Sequence, residues 1–201
     1  MPPLVLASSS PYRRALLERL QLAFSVHAPQ VDETPRSGER GDQLAVRLAR
    51  AKSEALSPVP NGALVIGSDQ VAECRNRLLG KPGSVEQACR QLASISGQRV
   101  VFHTAVAVSD GHRTEARLVP TEVHMRHLSP AGIRSYVEAD RPLDCAGAMR
   151  SESLGIGLTT AICSNDPTAL IGLPLIALVE LLDLFGLGLP PYGAINALHR
   201  D

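Results

Sequence analysis

The chain has 201 residues, and its 20 Lys and Arg are balanced by 20 Asp and Glu, so the formal net charge is zero. That balance argues against a broad basic surface for nucleic acid, and three Phe, three Tyr and no Trp leave few platforms for stacking single strands. With 44% hydrophobic residues the chain can bury an aliphatic core, which excludes wholesale disorder, and its length fits one domain, 1–201, of two lobes.

The elements alternate from the start. Leu4-Val5-Leu6-Ala7 reads as a short buried strand. Ser10 then caps a helix that opens on Pro11 and carries Leu16, Leu17 and Leu20 as its apolar stripe. Phe24 to Ala28 reads as a second strand, and 29–41 as a polar loop. A helix is predicted over 42–56, a buried strand over 63–67, and a turn at Gly80-Lys81-Pro82-Gly83-Ser84 that caps a helix over 85–95. Two strand-like stretches follow, 99–108 and 115–126. Ser129-Pro130 opens a helix to about Asp140, 145–172 reads as irregular and Gly-rich, and Pro174 starts an apolar helix to about Phe185 that Gly186 ends. Consecutive strands within an alternating pattern imply an α/β fold with an extended mixed sheet. No apolar run approaches the ~20 residues of a membrane span, and the start is too short for a signal peptide. Four cysteines without a CxxC pair read as reduced thiols of a cytoplasmic protein. His124-x-x-His127 sits in a strand context and reads as structural.

Only two of the twenty cations are lysines, Lys52 and Lys81. On a wheel of about 100° per residue, Leu44, Ala45, Leu48, Ala49, Ala51, Ala55 and Leu56 share one arc, and Lys52 lies near its middle. Arg47, Arg50 and Glu54 fall on the opposite face. An inward ammonium either snorkels past its small neighbours to solvent or meets an anion. Asp69, just after Leu64-Val65-Ile66-Gly67-Ser68, stands at the carboxyl end of the predicted strand, where ligands of open α/β sheets bind. An Asp there can hold a metal or take a proton from water, or simply start a turn. Lys81, between turn residues and ahead of a helix, suits a phosphate. Ser8, Ser9 and Ser10 gather at a helix N-terminus with Arg13 and Arg14, an arrangement suited to anions. No GxxxxGK[ST] occurs, so the chain is not a P-loop NTPase. Asp32 and Glu33 place two acids in the following loop, where one can help hold Mg²⁺.

Together these stretches resemble the Maf family of nucleoside triphosphate pyrophosphatases. The resemblance runs through Leu6-Ala7-Ser8-Ser9-Ser10-Pro11-Tyr12-Arg13-Arg14, Val31-Asp32-Glu33, Arg50-Ala51-Lys52, Gly67-Ser68-Asp69-Gln70, Gly80-Lys81-Pro82, Leu143-Asp144-Cys145-Ala146-Gly147 and Gly172-Leu173-Pro174-Leu175. It implies an inosine-triphosphate-pyrophosphatase-like fold, with flanking helices and two lobes around a central cleft. The implied reaction is hydrolysis between the α- and β-phosphates of a nucleotide, with Mg²⁺ or Mn²⁺, in a cytoplasmic homodimer that engages neither nucleic acid nor membrane. Asp69 matches the general base. Ser8, Arg13, Lys52 and Lys81 match phosphate contacts, with Ser10 beside them, and Glu33 and Asp69 are the candidate metal ligands, with the roles of base and metal ligand left open between the two carboxylates. Tyr12, Gln70 and Glu152 stand where the dTTP/UTP enzymes carry Arg, Thr and Gln, and Cys145 to Gly155 resembles the 7-methyl-GTP branch. N7-methylguanine is a cation, so an aromatic face at Tyr12 and a carboxylate at Glu152 suit it. The competing readings are the same reaction on UTP, CTP or dTTP, and a weakly catalytic nucleotide-binding regulator of division.

Overall fold

In a computed structural model, residues 2–56, 59 and 62–189 are described. The ends of the predicted domain, with Tyr192, lie outside them. Seven strands form one mixed sheet: β1 (Leu4–Ala7), β2 (Phe24–His27), β3 (Leu64–Cys74), β4 (Arg77–Leu79), β5 (Arg99–Ser109), β6 (Thr114–Met125) and β7 (Thr159–Cys163). Their order is β2-β1-β3-β5-β6-β7, with β4 paired to β3. β2, β1 and β3 run parallel, and every other pairing is antiparallel. The helices are α1 (Pro11–Glu18), α2 (Gly41–Glu54), α3 (Val85–Ile95), α4 (Pro130–Asp140) and α5 (Leu175–Leu184).

The caps fall where the sequence places them. Ser10, Ser84 and Ser129 accept hydrogen bonds from the backbone N–H groups of Arg13, Gln87 and Gly132, and so satisfy donors that a helix start leaves unpaired. Two readings are corrected. The strand expected over 63–67 continues to Cys74, so Asp69 is mid-strand. The polar run Ser68-Asp69-Gln70 is paired with β5 in full register, Asp69 opposite Ala105 and Gln70 opposite Thr104. β1 leaves β3 at Gly67, however, so Asp69 does lie just past the end of the parallel pairing. The segment 145–172, expected to be irregular, contains β7 and three short 3₁₀ turns. β7 adds to β6 across a register shift at His124/Met125.

The two-residue period of β3 sorts its side chains onto opposite faces. Leu64, Ile66, Ala72 and Cys74 join apolar clusters on one face, one cluster toward each end of the strand. Ser68 and Gln70 lie between these clusters and bond to the backbone of residues 169–172. Val71 packs on the other face with Leu44, Ala45, Leu48 and Ala49 of α2 and with Ala105 and Ala107 of β5. The fit of α2 is closest at Gly67. A Cβ there would stand 2.2 Å from the Ala49 carbonyl oxygen and 2.5 Å from the Ser53 backbone nitrogen. Only a residue without a side chain lets the helix approach this near, and the approach sets Lys52 against Asp69.

The clash is with backbone, so no rotamer change relieves it. Gly67→Ala should cost at least about 2 kcal/mol, in the upper part of the overpacking range. Urea midpoints of the two proteins measure this. An unchanged midpoint would mean that α2 does not bear on Gly67.

Candidate active site

A cleft of about 290 Å³ opens beside the parallel end of the sheet. Its lining includes Ser8, Ser10, Tyr12, Arg13, Glu33, Lys52, Gln70, Lys81, Asp144 and Glu152. All the site residues expected from the sequence therefore line one cavity, except Asp69, which lies a layer deeper.

Lys52 joins that layer to the cleft. The wheel places it inward, and it is 6% exposed. Its Nζ stands 2.6 Å from Asp69 Oδ1 and 2.6 Å from Glu33 Oε1. The ammonium thus meets two anions and does not snorkel to water. Two of its three N–H donors are committed, which leaves one for a substrate oxygen. The two acids differ in access: Asp69 is 7% exposed, whereas the Glu33 side chain is 55% exposed. Partial burial pushes the Glu33 carboxyl up, but the hydrogen bond and charge of Lys52, with Lys81 and Arg13 further off, outweigh it and hold the group below its usual range.

Arg13 is tethered by Nε to the Gly172 carbonyl at 2.9 Å. Desolvation lowers its pKa and the charges of Asp69 and Glu33 oppose that fall; a guanidinium stays protonated throughout. Gly172 has φ +123°, a backbone conformation that suits glycine. The turn on both sides of it is held by buried Asp166, whose carboxylate accepts from the Ile176 N–H at 2.7 Å and from Thr168 Oγ1 at 2.6 Å. Asp166 was not singled out from sequence, although Asp-x-Thr ahead of a helix start is a turn-and-cap signal. Ser8 Oγ accepts from the Ser10 N–H, and Ser10 Oγ caps α1, so these hydroxyls order the loop that lines the cleft.

The far end of the cleft is different in character. The Tyr12 ring lines it, and Arg150 Cζ stands 5.5 Å from the ring centroid, within cation–π range. Burial, with the Cys145 thiol nearby, pushes the Tyr12 hydroxyl up to about 12. Arg150 in turn lies 3.6 Å from Asp140 and 3.7 Å from Asp144. Glu152 is exposed at the rim, with only a long contact from Ser151. Gln70 donates to the Ala169 and Leu170 carbonyls at 3.0 and 2.9 Å, so its amide nitrogen is spent on holding backbone. Asp144 and Arg150 lie inside the family-like motifs but were not assigned roles from sequence. His124 and His127 stay out of the cleft, and the His127 ring packs over Gly97. Among the described residues no three His, Cys, Asp or Glu side chains gather as a metal cage.

The model of the Maf-like protein family matches residues 3–185. The chain belongs to the Maf family. It is 53% identical over 190 residues to the 7-methyl-GTP pyrophosphatase of Xanthomonas oryzae pv. oryzae, covering 94% of this chain and 100% of that one. The proteins of the same name from Bordetella pertussis and Pseudomonas aeruginosa are 51% and 48% identical, over 92% and 94% of this chain and 94% and 100% of theirs. Among solved structures, a HAM1 protein from Coxiella burnetii aligns with a TM-score of 0.41 at 15% identity, over 64% of this chain and 75% of that chain.

The electrostatics of Lys52 can be tested directly. Glu33 has a lowered pKa, so its pairing stabilises the protein above the ordinary carboxylate pKa, and that contribution is lost as pH falls through the folded value. Lys52→Met removes the cation and leaves two carboxylates facing each other. The expected cost is about 3 kcal/mol at pH 7, and smaller at about pH 3, below the ordinary carboxylate range. Urea unfolding of both proteins at the two pH values measures it. An equal cost at both would refute the charge argument.

Proposed function

We propose that this Maf-family protein hydrolyses N7-methyl-GTP to N7-methyl-GMP and pyrophosphate, clearing a modified nucleotide from the pool. The observation that carries the proposal is what one cleft holds: Arg13, Lys52 and Lys81 gathered around Glu33, and the Tyr12 ring beside Asp144, with Glu152 also in the lining. The first group suits a triphosphate, whose developing negative charge it would stabilise. The second suits a base that carries a positive charge, which an aromatic face and acids favour over neutral guanine. The names of the relatives support the same substrate.

In this reading Lys52 holds Asp69 in place, and Asp69 takes the proton of the attacking water. Arg13, fixed by Gly172, and Lys81 bind phosphate oxygens, and the remaining N–H of Lys52 reaches a third. Glu33 and Asp69 present hard oxygen donors, of which Lys52 engages one from each. That donor set fits Mg²⁺ or Mn²⁺, since such ions are commonly held by one or two carboxylates and completed by substrate phosphates. The metal would supply Lewis-acid stabilisation of the leaving pyrophosphate. The four free thiols support a cytoplasmic setting. A homodimer, and one domain whose two lobes flank the cleft, follow from the family resemblance.

The test is pyrophosphate release from a panel of triphosphates with Mg²⁺ or Mn²⁺. N7-methyl-GTP should give the highest kcat/KM. Preference for UTP, CTP or dTTP would overturn the substrate, and turnover of none would favour a binding regulator. Asp69→Asn should lose about 10²- to 10⁴-fold in kcat, read well below a thermal midpoint that the loss of charge opposite Lys52 also lowers, and near-normal kcat would remove it as the base. Glu152→Gln should weaken N7-methyl-GTP more than GTP, and equal losses would refute recognition of the base's charge.

A further inference from the structure

The helical wheel puts Arg47 on the face of α2 opposite the core, where a solvated arginine is the ordinary expectation. Its side chain is instead 21% exposed, because the loop between β2 and α2 folds over it. Its guanidinium makes a two-pronged pairing with Glu39, Nε to Oε1 at 2.7 Å and a terminal nitrogen to Oε2 at 2.9 Å. The Glu39 side chain is 9% exposed. The same guanidinium donates to two backbone carbonyls, those of Thr34 at 3.0 Å and Asp32 at 3.5 Å. These two residues flank Glu33.

The loop is also closed on itself. The Asp32 carboxylate accepts from the Thr34 N–H at 2.9 Å, across Glu33, and Glu39 accepts from the Arg36 N–H at 2.9 Å. The Arg47 hydrogen bonds, with that of Arg36, hold the Glu39 carboxyl down at about 2, so the pairing is fully charged near neutrality. A planar fork that spans a carboxylate and two carbonyls is a task for arginine and not for lysine.

We infer that Arg47 is a positioning residue for Glu33: by gripping the carbonyls on both sides of it, and locked in turn by Glu39, Arg47 presents the Glu33 carboxylate to Lys52 and the cleft. One helix therefore sets both halves of the Glu33–Lys52 contact, Lys52 through its own side chain and Glu33 through the latch. The kinetic consequence rests on the proposed function, whereas the structural one does not.

Two measurements test it. In Arg47→Met, amides of residues 30–36 should exchange with solvent at least about tenfold faster, while those of α2 keep wild-type protection. For N7-methyl-GTP, kcat should fall roughly ten- to a hundredfold, the range for removing a group that orients a ligand, with KM moved less. On a Glu33→Gln background the same substitution should change kcat by less than about twofold, because it acts through a carboxylate no longer there. Arg47→Lys keeps a charge opposite Glu39 and guards against misfolding; it should fold normally without restoring kcat. Unchanged exchange at 30–36, full kcat in Arg47→Lys, or losses from Arg47→Met and Glu33→Gln that simply multiply would each overturn the inference. The exchange measurement needs no substrate, so a wild-type protein inactive on every triphosphate would sink the functional reading and leave the latch to be decided by exchange.

Discussion

Everything in the cleft depends on one buried ammonium. Lys52 is nearly inaccessible, and a charge removed from water must be matched by opposite charge and by hydrogen bonds or the fold will not hold it. The protein matches it twice, with Asp69 from the middle of the sheet and Glu33 from a loop. Each match imposes a demand on distant residues. Asp69 comes within reach because Gly67 lets α2 lie against β3 with backbone nearly touching backbone. Glu33 comes within reach because its loop is tied down over the outer face of the same helix. A loop, a helix and a strand thus converge on a single nitrogen.

The convergence also shows how a chain of zero net charge can gather cations in one place. Cations gather around Glu33 where α1, α2 and the Lys81 turn meet, and Tyr12 lies beside Asp144 where the segment after α4 borders the cleft. Arg150 sits near Tyr12, and Asp140 and Asp144 flank its guanidinium. A broad basic surface would attract any nucleic acid; a local cluster of cations inside a cleft does not.

Much of this was legible in the sequence, for physical reasons that differ residue by residue. Helix caps are local hydrogen-bonding devices, so Ser10, Ser84 and Ser129 could be read directly. Lys52 was legible because a 3.6-residue period places it among Leu and Ala whatever the tertiary structure. The extension of β3 was not, since Ser68-Asp69-Gln70 looks like a loop until one sees what covers each face. Asp69 is shielded by α2, and Ser68 and Gln70 are satisfied by the carbonyls of 169–172. Local polarity cannot report partners a hundred residues away. β7 was missed for a related reason: it completes the sheet through β6 and carries little burial of its own. Arg47 does lie on the outer face where the wheel puts it, but a wheel cannot tell a solvated face from one covered by a loop.

The central claim, that Lys52 bridges the carboxylates of Asp69 and Glu33 at the floor of the cleft, is best tested by a carbon-13 NMR titration of the Glu33 carboxyl in the folded protein. The account predicts a midpoint below the ordinary Glu value, since a paired ammonium favours the charged form. A midpoint at or above that value would show Glu33 free of Lys52 and would contradict the account.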